Sequence, residues 1–335
     1  MVAHQVADAA RGFLRPAGWR GKTPSPTDLE GSLIFPRDRT VVSFDDTEIA
    51  YSVYGRSGPW IVLVPGFVCP DNFWKYLVPE LENDYRLVVY DLRGLGASGT
   101  PRPPGWRARN LSPKDFAIER QVRDIEAIMD KEEIEEAVLI GHSMGGQIQL
   151  EAFRWFPERI SAEIMVTAPF ESPMRTFYGR DFTLVFHAVR RLFEVMPRSS
   201  VLVWRALFLL NPGLTHELAK LTRALGPDAK LDDMRSYYRH MAYLDPLVIL
   251  TMAESMRTHS AADLLPKIDV PTLIISGTQD TFTPPSVAQR KHNEIADSEH
   301  VVIDRAGHGA IIEKPNEVNA AIRSFLERHV PSFYK

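Results

Sequence analysis

The sequence predicts an α/β fold, a mostly parallel sheet with helices on both faces, interrupted once by a purely helical block. Three observations carry this. Residues 60–64, 86–90, 137–140 and 272–276 are short, nearly continuous apolar runs, the pattern of strands buried on both faces. Helical periodicity fills several of the gaps, as parallel strands joined by crossovers require. The strand rhythm stops near Glu171, and from there to Ala262 only helical spacing is visible.

In chain order, residues 40–44 and 48–54 read as a hairpin turning at Asp45-Asp46. The run 60–64 ends at Pro65-Gly66-Phe67, and 72–81 reads as a helix. The run 86–90 ends at Asp91-Leu92-Arg93-Gly94-Leu95-Gly96, and the proline- and arginine-rich stretch 100–112 reads as a long loop. In the helix expected over 117–130, Val122, Ile125 and Ile128 mark one apolar face. Strands are expected at 137–140, 164–167, 272–276 and 300–303, and helices over 147–155, from Ser286, and over 316–328. About six strands precede the helical block, and no internal repeat or low-complexity tract is visible.

Composition narrows the function. With 44% hydrophobic and 24% charged residues, the chain can bury a full core as one large domain or two modest ones. A net charge of −4 argues against a nucleic-acid partner. The single cysteine, Cys69, excludes an intrachain disulfide and a cysteine-cluster metal site, and fits a cytoplasmic location. It reads as a small packing residue, since no histidine pairs with it at a recognisable position. No run reaches membrane-spanning length, and no secretory signal is expected. Residues 1–14 fit a short amphipathic helix, followed by a proline-, glycine- and arginine-containing segment over 15–26. That arm either packs on the surface or gives weak membrane-surface association.

The chemistry centres on Gly141-His142-Ser143-Met144-Gly145-Gly146, set between a strand and a helix. Gly-x-Ser-x-Gly in that setting is a nucleophile elbow, a turn so sharp that Ser143 should take a positive φ. His142 is expected to pack under the site. A serine hydroxyl needs a base, and the base needs an orienting acid. Asp280 follows the strand at 272–276, and His308 follows the strand at 300–303, so all three groups fall at strand carboxyl ends. The order serine, acid, histidine is the one this strand–turn–helix arrangement calls for. The oxyanion donors are expected to be the backbone N–H groups of Met144 and Phe67. Among the ten histidines no cluster has metal-ligand spacing, so neither metal nor cofactor is expected.

These residues give the chain its resemblance to the α/β-hydrolase superfamily, on its esterase and lipase side. The likeness spans about residues 40 to 330. It rests on Pro65-Gly66-Phe67, the segment from Asp91 to Ser98, the elbow, Gly277-Thr278-Gln279-Asp280, and Gly307-His308 followed by Glu313-Lys314-Pro315. Relatives usually carry His-Gly where this chain has Pro65-Gly66, so the side-chain bonding that braces that loop is expected to be lost. Haloalkane dehalogenases and epoxide hydrolases carry aspartate where Ser143 stands. Carbon–carbon bond hydrolases often place an aromatic residue where Gly309 stands, and proline iminopeptidases usually show a different elbow. The resemblance therefore implies a carboxylesterase or monoacylglycerol-lipase-like serine hydrolase. A lactonase, amidase or carbon–carbon bond hydrolase of the same fold, or a slow-turnover ligand-binding protein, stays open beside it. Some relatives take their acid from the position of Glu171.

The resemblance also divides the chain into an N-terminal arm (1–37), a core (38–170 and 263–335) and a helical cap (171–262). The cap is rich in apolar residues, among them Phe182, Val185, Phe186, Val189, Leu192, Phe193 and Met196, and then nearly all of 201–210. A helix apolar almost all round is expected to be buried on more than one side. The surplus would pack on the core, line an acyl pocket, or form a membrane-facing lid. Phe170, Met174 and Phe186 are the named pocket candidates, with Met165 beside them. The expected substrate is a small-molecule ester with a medium, apolar acyl chain.

Overall fold

A computed structural model describes residues 35–101, 111–175, 183–195 and 197–330. The expected helix at 1–14, the segment at 15–26, and most of the expected 100–112 loop lie outside the described residues, as do Phe182 and Met196.

Among the described residues, eight strands form one sheet: β1 (Arg39–Val42), β2 (Glu48–Tyr54), β3 (Trp60–Val64), β4 (Arg86–Tyr90), β5 (Ala137–His142), β6 (Ile160–Val166), β7 (Thr272–Gly277) and β8 (Ser298–Ile303). Their order is β1-β2-β4-β3-β5-β6-β7-β8. The β1–β2 and β2–β4 pairs are antiparallel, and all later neighbours are parallel. After β4 the chain crosses over β3 to lay down β5 on its other side. That reversal leaves a crevice at the carboxyl ends of β3 and β5, where ligands bind in open α/β sheets.

The pleat sorts each strand between two cores. Val62, Val64 and Leu139 face one way, with Ile125, Ile128 and Ile148 from helices on that side. Ile61, Leu63, Val138 and Ile140 face the other way, against Val318, Ile322 and Phe325. Around the sheet run α1 (Val78–Leu81), α2 (Ile118–Lys131) and α3 (Met144–Trp155). Between β6 and β7 come α4 (Thr183–Val195), α5 (Pro197–Leu209), α6 (Pro212–Leu221), α7 (Leu231–Tyr243) and α8 (Pro246–Thr258). The last helices are α9 (Pro285–Glu294), α10 (Ala310–Glu313) and α11 (Pro315–His329).

Several expectations shift. The helix expected over 72–81 is a 3-10 turn, Asp71–Trp74, followed by the single turn α1. Pro79 lacks the N–H that would continue a helix from upstream and is tolerated only at a helix start. Ser43 and Phe44 belong to the hairpin turn rather than to β1, because the Ser43 N–H already bonds the Thr47 carbonyl and Asp46 takes φ 64°. Phe35 and Arg37, assigned to the arm, pack on the core. Phe35 is buried, and Arg37 pairs with Asp91 at 2.7 Å and Asp71 at 3.6 Å.

The largest difference lies in the helical insertion. Its apolar surplus is not buried on several sides: Leu184 is 84% exposed and Val203 70%. Each of α4, α5 and α6 has one face turned inward and one left bare. Periodicity reports that a face is apolar, but not whether another element covers it.

Candidate active site

Ser143 sits between the last residue of β5 and the first turn of α3, with φ 52° and ψ −123°. Such a conformation strains any residue with a Cβ, and it holds only where the surroundings leave no alternative. The surroundings here are close. A Cβ on Gly145 would lie 2.2 Å from the Val64 carbonyl oxygen, and one on Gly146 would lie 2.4 Å from the Ala168 Cβ. Strand, turn and helix close this tightly because the side chains are absent.

The side chains expected to form a relay are in contact. His308 Nε2 lies 2.8 Å from Ser143 Oγ, and His308 Nδ1 lies 3.0 Å from Asp280 Oδ2. An ionised carboxylate only accepts, so the Nδ1–H donates to it, and Nε2 is left to accept the serine proton. Asp280 is itself held. Its Oδ1 accepts the N–H groups of Phe282 (2.8 Å) and Thr283 (3.0 Å), and Thr283 Oγ1 reaches Oδ2 at 2.5 Å. Burial alone would push this carboxyl up, but His308 and these hydrogen bonds hold it below its ordinary value.

The backbone of His308 is pinned from four directions. Its carbonyl accepts from Thr167 Oγ1 at 2.8 Å and from His142 Nε2 at 3.0 Å. On either side, the N–H groups of Gly307 (2.7 Å) and Gly309 (3.1 Å) donate to the Glu313 carboxylate. Burial, and then His308, push His142 down to about 3, so it is a neutral ring whose Nε2–H donates. Its Nδ1 faces Cys69 Sγ at 3.7 Å. Cys69 therefore does have a histidine neighbour, contrary to the sequence expectation. Burial drives the thiol's pKa up, which disfavours its thiolate form, although Cys69 is half-buried and lines the cavity.

The sequence matches the alpha/beta hydrolase fold family over residues 59–315. The chain belongs to the α/β-hydrolase family. Curated relatives include the human monoacylglycerol lipase ABHD6, 26% identical over 85% of this chain and 81% of that protein. The Karrikin insensitive 2 receptor CA of Petunia hybrida is 25% identical over 79% of this chain and 91% of the receptor. Among solved structures, a thermophilic esterase from Thermogutta terrifontis superposes with a TM-score of 0.67 at 24% identity. That match covers 88% of this chain and 100% of the esterase, and it speaks to the fold.

In this α/β-hydrolase chain, Ser143 and His308 open into a cavity of about 540 Å³ roofed by the helical insertion. Ser143 is only 9% exposed, and it lines the cavity. Of the expected pocket residues, Met174 and Phe186 line the cavity. Phe170 does not. It is buried under the Arg290 guanidinium, 4.7 Å from its ring centre, and its carbonyl accepts the Ala261 N–H. Met165 is likewise in the core. The remaining wall is apolar and draws on Phe208 and Tyr237, aromatic residues of the helical block, and on Leu225, Met256 and Phe282, which have no local signature in the sequence.

Of the two residues expected to supply N–H donors, Met144 follows Ser143 directly in the chain and Phe67 lines the same cavity. Met144 opens α3, where an N–H has no partner within its own helix. A Cβ on Gly66 would lie 3.0 Å from the Ser143 Cβ, so the backbone at Gly66 abuts the serine. Despite Pro65, that loop is tied by the Cys69 N–H to the Gly66 carbonyl at 3.2 Å. Glu171, the alternative acid, instead pairs with Arg290 at 3.3 Å. Among the described residues, no three His, Cys, Asp or Glu side chains are grouped to hold a metal ion.

Proposed function

We propose that this chain is a serine hydrolase that cleaves carboxylic esters of medium acyl chain. The observation that carries the reading is the unbroken contact from Asp280 through His308 to Ser143, opening onto an apolar cavity.

His308 Nε2 takes the Ser143 proton as Oγ attacks the ester carbonyl. The oxyanion of the tetrahedral intermediate is held by the N–H groups of Met144 and Phe67, with the positive end of α3 behind the former. The proton on His308 then passes to the departing alkoxide, which leaves as the alcohol. Water enters and attacks the acyl carbonyl as His308 takes its proton. Collapse of the second tetrahedral intermediate breaks the bond to Ser143 Oγ, which takes that proton back from His308 as the acid is released. Asp280 keeps the ring in the tautomer both half-reactions need and stabilises the imidazolium. The insertion acts as the cap that shapes the acyl site. Phe186, Phe208 and Met256 exclude water around the acyl chain, with Met174 at the wall.

A p-nitrophenyl ester series run beside a fluorophosphonate label tests this. Labelling of Ser143 together with rapid turnover supports the reading. Labelling with negligible turnover on every ester overturns it. That outcome favours a slow ligand-binding role, for which the receptor-named relative in Petunia hybrida is the precedent.

A further inference from the structure

Helices α4, α5 and α6 turn Phe186, Phe208 and Ala219 toward the cavity and leave their opposite faces uncovered. Twelve of the sixteen strongly exposed large hydrophobics among the described residues lie on these three helices or, as with Leu210, directly at a helix end. The extremes are Leu184 (84%), Leu221 (79%), Leu210 (74%) and Val203 (70%). They follow helical spacing, as with 203, 207 and 210 along α5 and its end and 214, 218 and 221 on α6, so each helix presents a continuous outer stripe. Val185 both lines the cavity and is 57% exposed, so the apolar face runs to the cavity wall.

Charge follows the same division. Residues 183–223 contain six basic and two acidic side chains, a local net of +4 within a chain of net −4. The rest of the molecule therefore carries −8. Arg190, Arg191, Lys220 and Arg223 lie among or beside the apolar stripes, whereas Arg205 turns inward over the Tyr243 ring.

We infer that this face docks on an anionic lipid surface, with the leucine and valine stripes entering the headgroup–acyl boundary and the basic side chains at headgroup level. An exposed apolar face of this extent marks an interaction site. A second copy would set two segments that are basic in sequence, each of net +4 over residues 183–223, against each other at short range, and like charges oppose that pairing. An anionic bilayer supplies both the apolar depth and the opposite charge. Docked in this way, the molecule brings its cavity next to the acyl phase. Such docking does not depend on the esterase reading, and binding measures it without turnover.

The full chain is mixed with vesicles of phosphatidylcholine alone or containing about one-third phosphatidylglycerol, and the bound fraction is read by sedimentation. Binding should be at least about tenfold stronger to the anionic vesicles and should weaken with added salt. Replacing Leu184, Val203, Leu210 and Leu221 together by Ser should reduce it about tenfold, while hydrolysis of a short soluble ester and the melting curve stay unchanged. Leu184→Trp, at a site too exposed to affect folding, should show a blue-shifted emission with anionic vesicles. No binding to either vesicle, binding indifferent to the four serines, or an unshifted emission from the Leu184→Trp variant would overturn the inference. So would a wild-type dimer that the four serines dissociate, because the face would then belong to a second copy.

Discussion

Glu313 fixes His308 without touching its ring. The carboxylate accepts the N–H groups on both sides of the histidine, from Gly307 and Gly309, and also that of Gly226 at 3.0 Å. Gly226 belongs to the helical insertion, so one buried side chain ties the backbone at His308 to the roof of the cavity. A Cβ on Gly307 would lie 2.3 Å from the Gly226 nitrogen, which shows how closely the two segments approach.

Glu313→Gln should lower kcat about tenfold with little change in KM, because an amide cannot accept at both oxygens and the ring loses its alignment. Burial raises the Glu313 pKa, so the folded protein holds a proton there more readily than the unfolded chain does. Its contribution to stability is therefore full below the ordinary carboxylate range and is lost as pH rises through the raised value. Activity should run the opposite way, since only the ionised form accepts all three N–H groups. Rates and melting temperatures of both proteins across mildly acidic pH read the two trends. A Gln variant with the wild-type acid limb would remove Glu313 from this role.

Ser143→Ala should reduce ester hydrolysis by at least about 10³-fold while leaving the melting curve intact, since the proposed mechanism uses the hydroxyl as nucleophile. Asp280→Asn should cost about 10⁴-fold in kcat. The Asp280 pKa is lowered, so the stability it contributes is present above the ordinary carboxylate range and is lost as pH falls through the lowered value. The Asn variant should lack that acid-side loss. Wild-type rates in the Asn variant would mean that another carboxylate orients His308.

Chain-length preference should follow the cavity. Each buried methylene is worth about 0.8 kcal/mol, or about fourfold in kcat/KM, so the rate should climb from acetate to an optimum at about six to ten carbons. Ala219→Phe places a ring in the cavity wall and should shift that optimum toward shorter chains. A maximum at acetate in the wild type would show that the acyl chain does not occupy the cavity.

Glycine substitutions should separate the elbow from the insertion. Gly145→Ala drives a methyl against the Val64 carbonyl and should cost about 3 kcal/mol of stability together with most activity. Gly213→Ala meets nothing nearer than the Asn211 Oδ1 at 3.5 Å and should leave both unchanged. Urea titrations of the two variants give the comparison.

Much of the fold and of the relay is legible in the sequence, because the signals are local. Strands β3 and β4 match the apolar runs that predict them, and Ser143, Asp280 and His308 each follow a strand within a few residues. Those positions need only the rule that buried parallel strands share one carboxyl edge. Their supports have no such signal. The bonds from Thr167 and His142 to the His308 carbonyl span 141 and 166 residues. Glu313 is visible only as part of a resemblance, and nothing in its own segment points to Gly226. Phe170 looks like a pocket residue from its place after β6, but Arg290 on α9 covers it.

The sequence by itself determined which stretches are apolar on which period, and with that a mostly parallel sheet and the strand ends after which Ser143, Asp280 and His308 fall. The tertiary structure decided which apolar faces are covered. Phe186 faces the cavity while Leu184, on the opposite side of the same helix, faces outward. The physical reason is that periodicity is a property of one helix, whereas burial is a property of what packs against it.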